Sequence, residues 1–205
     1  MIVPPTFSNA LPPPPPSYCV CTPICRWISS ICSLDHDTTA AADKFGNLVV
    51  LRVPEGCDES VEAEPGLRAL WDSGSKPRLS LEAHYYLGEN ITSLTRCSLL
   101  PGAPEVLVAA TITGSLYAFL PLSSKEDITL FTTLEMFLRQ ECPNLCHRDH
   151  LSFRSFYQPV RHVIDGDLCE RFVRLSVAKQ AELARSVGRT PAEVHKKLEE
   201  IRHIV

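Results

Sequence analysis

Residues 38–53 read TTAAADKFGNLVVLRV, and this stretch decides what kind of fold the chain builds. Thr38 to Ala42 is a run of small and β-branched residues. It leads into Asp43-Lys44-Phe45-Gly46-Asn47, a turn whose glycine can take a positive φ, and Leu48 to Val53 then rebuilds a β-branched run. Downstream the same pattern predicts strands over Leu79 to Tyr86, Ile91 to Leu99, Glu105 to Thr111 and Ser115 to Leu120. Their connections contain Gly88-Glu89-Asn90, Pro101-Gly102 and Thr113-Gly114. Four strands in sequence joined by tight turns form a meander. That is the unit of one propeller blade, although a sandwich or small barrel reads the same way locally. The acidic stretch Glu55 to Glu64 is too polar to pack and is expected as an exposed loop.

Near residue 124 the period changes from strand-like to helical. Ser124 with Asp127 three positions on resembles a capping box, and Ile128, Phe131, Leu134 and Leu138 then share one helical face that Pro143 ends. Asp167 is expected to cap a turn starting at Leu168, and Val177, Ala181, Ala184 and Val187 form a stripe ending at Gly188. The last helix has the clearest start: Thr190 as N-cap, Pro191 at the first helical position, Glu193 closing a capping box. Val194, Leu198, Ile201 and Val205 supply its buried stripe, with Glu193 and Lys197 as an i,i+4 pair on the wet side.

The expected fold class is thus mainly β followed by α. It comprises a proline-rich low-complexity arm (1–24), a β portion (25–123) and a C-terminal helical domain (124–205). At 205 residues the chain is too short for a full propeller of seven blades at about 40 to 45 residues each. Pro12 to Pro16 favour polyproline II, so the arm reads as a flexible or semi-rigid extension of the kind that aromatic grooves recognise. The first 20 residues lack the basic start and unbroken apolar run of a signal peptide, and no apolar run reaches the roughly 18 to 20 residues of a membrane span, so no membrane partner is expected. A net charge of −4, with residues 1–123 acidic by five and the rest near neutral, gives no nucleic-acid footprint; RNA contact is expected to be indirect or weak. Nine cysteines, an odd number scattered through apolar runs, fit free thiols better than a disulfide framework.

Four clusters could carry chemistry. Cys142, Cys146 and His150 could reach one zinc ion, but C-x3-C-x3-H is not a strong finger spacing and no further ligand pair follows, so helix-end packing is the plainer reading. Cys19, Cys21, Cys25 and Cys32 also depart from paired zinc spacing. Asp165-Gly166-Asp167 has the look of an acidic loop but lacks a phosphate cradle, and it reads as a glycine turn followed by an N-cap aspartate. Arg148, Arg154 and Arg161 near Phe153, Phe156 and Tyr157 could combine phosphate contacts with base stacking. The near-neutral charge favours aromatic packing instead, with arginines exposed or paired to carboxylates such as Asp149. No catalytic, cofactor-binding or metal residue is assigned, no cofactor is expected, and the chain is not expected to be an enzyme.

Three segments, RWISSICSLDHDTTAAADKFGNLVVLRVP (26–54), ITLFTTLEMFLRQECPNLCHRDHLSFRSFYQPVRHVIDGDLCERF (128–172) and RTPAEVHKKLEEIRHIV (189–205), carry a family resemblance. They resemble the C-terminal region of the splicing factor 3b branch of a scaffold family. That family also contains the large subunit of damage-specific DNA-binding protein and the largest subunit of cleavage and polyadenylation specificity factor. SFRSF followed closely by VIDGDL marks the wider family, while LCHRDHLSFRS and the ADKFGN turn point to the splicing branch. The likeness covers Cys25 to Val205. It implies a partial β-propeller, its closing strands lying within about 26–123, followed by a C-terminal helical domain over 124–205. It also implies a non-catalytic role in the nucleus, within the U2 small nuclear ribonucleoprotein. Partners there would be the HEAT-repeat and small subunits of splicing factor 3b, in support of branch-site recognition. Other branches would imply damaged-DNA recognition in a ubiquitin-ligase adaptor, or mRNA 3′-end processing. Asp165, Gly166 and Asp167 match the family motif, with the implied task of shaping a turn into a helix.

Overall fold

The computed structural model describes residues 27–54, 79–142 and 148–204. The proline-rich arm, the acidic stretch after Glu55, and Cys19, Cys21, Cys25 and Cys146 lie outside the described residues. A first antiparallel sheet has the order β1-β2-β3-β4, with β1 Ile28–Ser33, β2 Thr38–Asp43, β3 Asn47–Arg52 and β4 Ser80–Tyr86. A second has the order β5-β6-β7, with β5 Ile91–Cys97, β6 Val106–Thr111 and β7 Leu116–Phe119. Neither sheet closes on itself, as a partial propeller requires.

The ADKFGN turn joins β2 to β3. Its buried Asp43 acts as a local cage: Oδ1 accepts from the backbone N–H of Phe45 and Asn47, each at 2.9 Å, and Oδ2 accepts from Asn47 Nδ2 at 2.7 Å. Ala40, Ala42, Leu48 and Val50 face a shared core with Ile91, Leu94, Leu107, Ala109 and Phe119 of the second sheet. Across the junction, Ser29 Oγ donates to the Ile91 carbonyl at 2.6 Å, and Ser30 Oγ accepts from Leu94 N at 2.9 Å. The two sheets therefore meet through β1 and β5, as neighbouring blades do, rather than by extending one sheet. The outer edge of β4 is covered by the segment that follows Phe153. His84 and Arg161 exchange backbone hydrogen bonds at 3.0 Å, and Tyr86 N donates to the Arg154 carbonyl at 3.1 Å. Covering an edge in this way removes a site of unwanted strand pairing.

Helix α1 (Lys125–Glu141) opens with the Ser124 side chain accepting from Asp127 N, and it buries Leu130, Phe131, Leu134 and Leu138. After a short α2 (His150–Phe153) come α3 (Gly166–Glu170), a 3₁₀ turn (Arg171–Arg174), α4 (Val177–Ser186) and α5 (Pro191–Ile204). Phe131, Leu134, Leu168, Cys169, Phe172, Leu183, Ala184, Val194 and Leu198 form a second core, separate from that of the sheets. Around it Arg189 pairs with Glu126, Lys197 with Asp127, and Arg202 with Glu170, each reaching from the C-terminal part of the domain to an earlier helix. At α5, Thr190 Oγ1 accepts from Glu193 N at 3.4 Å and Glu193 Oε2 accepts from Thr190 N at 2.8 Å, which is the expected capping box. Thr190→Ala is expected to cost about 1 kcal/mol, measured as a lower urea midpoint by circular dichroism; an unchanged midpoint would show that the box adds nothing.

Several expectations are corrected. The four downstream strands are not one meander: Ser80–Tyr86 closes the first sheet against β3, so Gly88-Glu89-Asn90 is a crossover between sheets rather than a hairpin turn. β1 precedes the first strand read from the pattern. The N-cap of α3 is Asp165, not Asp167, because the extended backbone of Asp165 lets its carboxylate accept from Leu168 N. Of the expected stripe, Ala184 is buried and Val187 packs against the helical core, but Val177 is 83% exposed, and Leu183, outside the stripe, is buried beside Ala184. Lys197 pairs with Asp127 and Glu200, while Glu193 is committed to the cap.

Candidate functional site at the junction of sheet and helices

Consecutive residues divide between the two cores. Val163 packs into the sheet core and Ile164 into the helical core, so Asp165 is left at the boundary, 4% exposed. A carboxylate removed from water needs several donors to stay charged. It has them from distant parts of the chain. Oδ2 accepts from the Tyr85 hydroxyl at 2.9 Å and from Arg154 Nε at 3.0 Å, and His150 Nε2 lies 3.0 Å away as an ion-pair neighbour rather than an aligned hydrogen bond. Oδ1 accepts from Leu168 N at 3.3 Å and so starts α3. The Arg154 guanidinium also lies over the Tyr85 ring, 5.2 Å from its centroid.

These contacts set the proton affinities. Burial by itself would raise the Asp165 pKa, but His150, the Arg154 charge and the Tyr85 hydroxyl together hold it well below the usual carboxylate range. Burial, reinforced by the Asp165 charge, pushes the Tyr85 phenol far above its ordinary value. Glu135, whose carboxylate faces the backbone N–H of Asp165 at 3.5 Å, is raised by its own burial. An anion with both oxygens occupied and a depressed pKa is a poor proton shuttle and a poor metal ligand. The arrangement is a clamp that fixes the helical domain against β4. Beside it opens a cleft of about 390 Å³, whose walls include Tyr85, Tyr117, Asp167, Leu198 and Arg202.

Of the two thiol clusters, only Cys142 and His150 of the first and Cys32 of the second are among the described residues. Cys142 is partly buried against the helical core, its N–H bonded to the Leu138 carbonyl, whereas His150 turns to Asp165. Among the described residues no group of three His, Cys, Asp or Glu side chains could hold a metal ion. Cys32 lies on β1, and burial raises its thiol pKa. Arg154 pairs with Asp165 rather than Asp149, and Arg161 is exposed beside β4. Phe156 and Tyr157 lie beyond the short α2 and pack with Phe45 and Tyr86. Tyr85 was missed as a site residue, and His150 was weighed only as a zinc ligand, not as a neighbour of Asp165. The one signal for Tyr85 is its place in a strand that otherwise reads as plain core. Among the described residues no helix is long and apolar enough to cross a membrane.

The family described as the CPSF A subunit region matches residues 23–174, a span that takes in the turn at Gly46, both sheets and the Asp165 clamp. Among curated proteins, splicing factor 3B subunit 3 of Danio rerio is 47% identical over 86% of this chain, and its Drosophila melanogaster counterpart is 45% identical over the same share. Spliceosome-associated protein 130 A of Arabidopsis thaliana is 40% identical over 89%. The chain spans about 15% of the length of each of these relatives.

Proposed function

The chain belongs to the family of the CPSF A subunit region, and from that premise we propose that it is a non-catalytic scaffold element of pre-mRNA splicing, working inside a splicing factor 3b assembly. The observation that carries this reading is the joint between sheet and helices. Its charged groups hold two structural units together and leave no reactive group poised for chemistry. The similarity to splicing proteins directs the choice among scaffold roles. On this reading the chain acts in the nucleus with the U2 small nuclear ribonucleoprotein, contacts the HEAT-repeat and small subunits of splicing factor 3b, and meets RNA indirectly or weakly, in keeping with its net charge of −4.

The test is affinity purification of a tagged full chain from nuclear extract. Recovery of splicing factor 3b subunits is expected, and it should weaken in Asp165→Asn as the helical domain loosens from the sheet. A purification dominated by cullin or polyadenylation factors, with no splicing factor 3b subunit, would overturn the assignment.

A further inference from the structure

Between α3 and α4 the chain raises an outcrop that the Asp165 clamp does not use. Arg171, Val173, Arg174 and Val177 are all exposed, and Val177, at 83%, is the most exposed large apolar side chain among the described residues. Arg171 and Arg174 stand at the two ends of the 3₁₀ turn. In a 3₁₀ helix residues three apart eclipse one another at a rise of about 2.0 Å per residue, so the two arginines leave one face roughly 6 Å apart. The nearest carboxylate in the sequence is already taken: Glu170 accepts from Arg202 through both oxygens, at 3.3 and 2.9 Å. Elsewhere in the helical domain Lys179 pairs with Glu141, Arg189 with Glu126 and Lys197 with Asp127, whereas Arg171 and Arg174 have no such partner among the described residues.

The outcrop is also held rigid from beneath. Gln180 Nε2 lies 3.1, 3.2 and 3.1 Å from the carbonyl oxygens of Phe172, Val173 and Leu175, and Gln180 Oε1 lies 3.1 Å from His195 Nε2 on α5. Phe172 is fully buried under the turn, its ring centroid 5.3 Å from that of His195. A partner that binds a surface fixed in this way loses little ordering entropy. Two guanidinium groups side by side gain most from an anionic group placed between them, and their planar forks match carboxylates. The valines decide what carries those carboxylates. Apolar side chains of a protein segment would cover them, while a nucleic acid would bring phosphates but find no ring among these four residues on which to stack a base. From this charge and shape we propose that Arg171, Val173, Arg174 and Val177 form the docking surface for an acidic segment of a protein partner, its carboxylates on the arginines and its apolar side chains on the valines.

The probe is a fluorescein-labelled peptide of repeated Glu-Glu-Leu units, titrated with the full chain and followed by anisotropy, beside an oligouridine of equal charge. Arg171→Glu together with Arg174→Glu is expected to weaken peptide binding about tenfold, and Val177→Ser alone about threefold, as an interface loses its charge pairs or part of its apolar cover. The oligouridine should bind more weakly than the peptide. Val177 belongs to neither core, so the serine variant reads out even if charge reversal disturbs the turn. Equal peptide affinity in the wild type and the variants overturns the proposal. So does a loss on charge reversal with none at Val177→Ser, which would be attraction between charges alone. A preference for oligouridine that disappears with the arginines overturns it as well, since the surface would then be a phosphate contact. No splicing component enters the titration, so its failure leaves the scaffold reading standing, and failure of the nuclear-extract purification leaves this surface standing.

Discussion

Asp165→Asn is expected to lower the unfolding free energy by about 3 kcal/mol at pH 7, the range for breaking a buried ion pair from one side. The amide can still accept from Tyr85 or Leu168, so the substitution removes charge more than shape. What it leaves is a half-buried Arg154 guanidinium beside His150 with the compensating anion gone. The pH dependence has a definite sign. A carboxyl whose pKa is depressed on folding stabilises the native state fully above the unfolded value, about 3.9 for aspartate, and loses that contribution as pH falls toward the folded value. The wild type should therefore weaken as pH drops below about 5, and the gap to Asp165→Asn should narrow over the same interval. Glu135 acts oppositely. Its pKa is raised by burial, so its ionisation opposes folding as pH rises, and the contrast with the variant isolates the Asp165 share. His84 adds to the acid weakening of both proteins, because burial lowers its pKa and the unfolded chain takes up the proton first. Urea titrations between about pH 3 and about pH 7, an interval that brackets the unfolded carboxylate values, would check this. A gap that stays constant with pH would mean the carboxylate charge is not what holds the joint.

How much of this was legible in the sequence follows from how local each signal is. Thr190 and Glu193 find each other within one turn, so the capping box could be read directly; so could Ser124 with Asp127. The hairpin at Gly46 was equally local. β1, Ile28–Ser33, went unnamed because serines interrupt its apolar pattern, and those serines serve the second sheet: Ser29 and Ser30 bond across to Ile91 and Leu94. Whether Ser80–Tyr86 pairs backward or forward depends on partners that spacing does not specify, and it pairs backward with β3. Asp165 was recognised within its motif, but the role of capping residue went to Asp167. The deciding partner, Tyr85, stands 80 positions away, and no local pattern announces it. Val177 fits a helical stripe on paper yet faces water, because the neighbouring helix meets α4 through Leu183 and Ala184.

Gly46→Ala is expected to be nearly as damaging as loss of the Asp165 charge, and for a reason that a matched glycine can separate. Gly46 sits at φ 92, where a Cβ costs about 1 to 2 kcal/mol on steric grounds alone. Gly114 sits at φ 89 with nothing within 4 Å of the position its Cβ would take, so Gly114→Ala should show that backbone cost and no more. At Gly46 the added carbon would lie 2.7 Å from the Glu89 carbonyl oxygen and 2.9 Å from its nitrogen. Those are backbone atoms of the crossover between the two sheets, and they cannot swing aside as a side-chain end would. The Gly46 carbonyl also accepts from Leu87 N at 2.9 Å, so displacing the turn breaks the hydrogen bond that leads β4 into the crossover. Glu89 is tied in turn to the far end of the second sheet, its carboxylate accepting from the Thr111 hydroxyl at 2.7 Å and also from the Thr113 hydroxyl. The strain therefore spreads from one hairpin into the junction of both sheets, and the total should reach about 3 kcal/mol, in the range of mutations that force a clash at a special φ. Parallel urea titrations of the two alanine variants give the comparison. Equal losses would mean that the turn at Gly46 only needs a left-handed residue, whereas the larger loss at Gly46 identifies the glycine as the point where the first sheet seats against the start of the second.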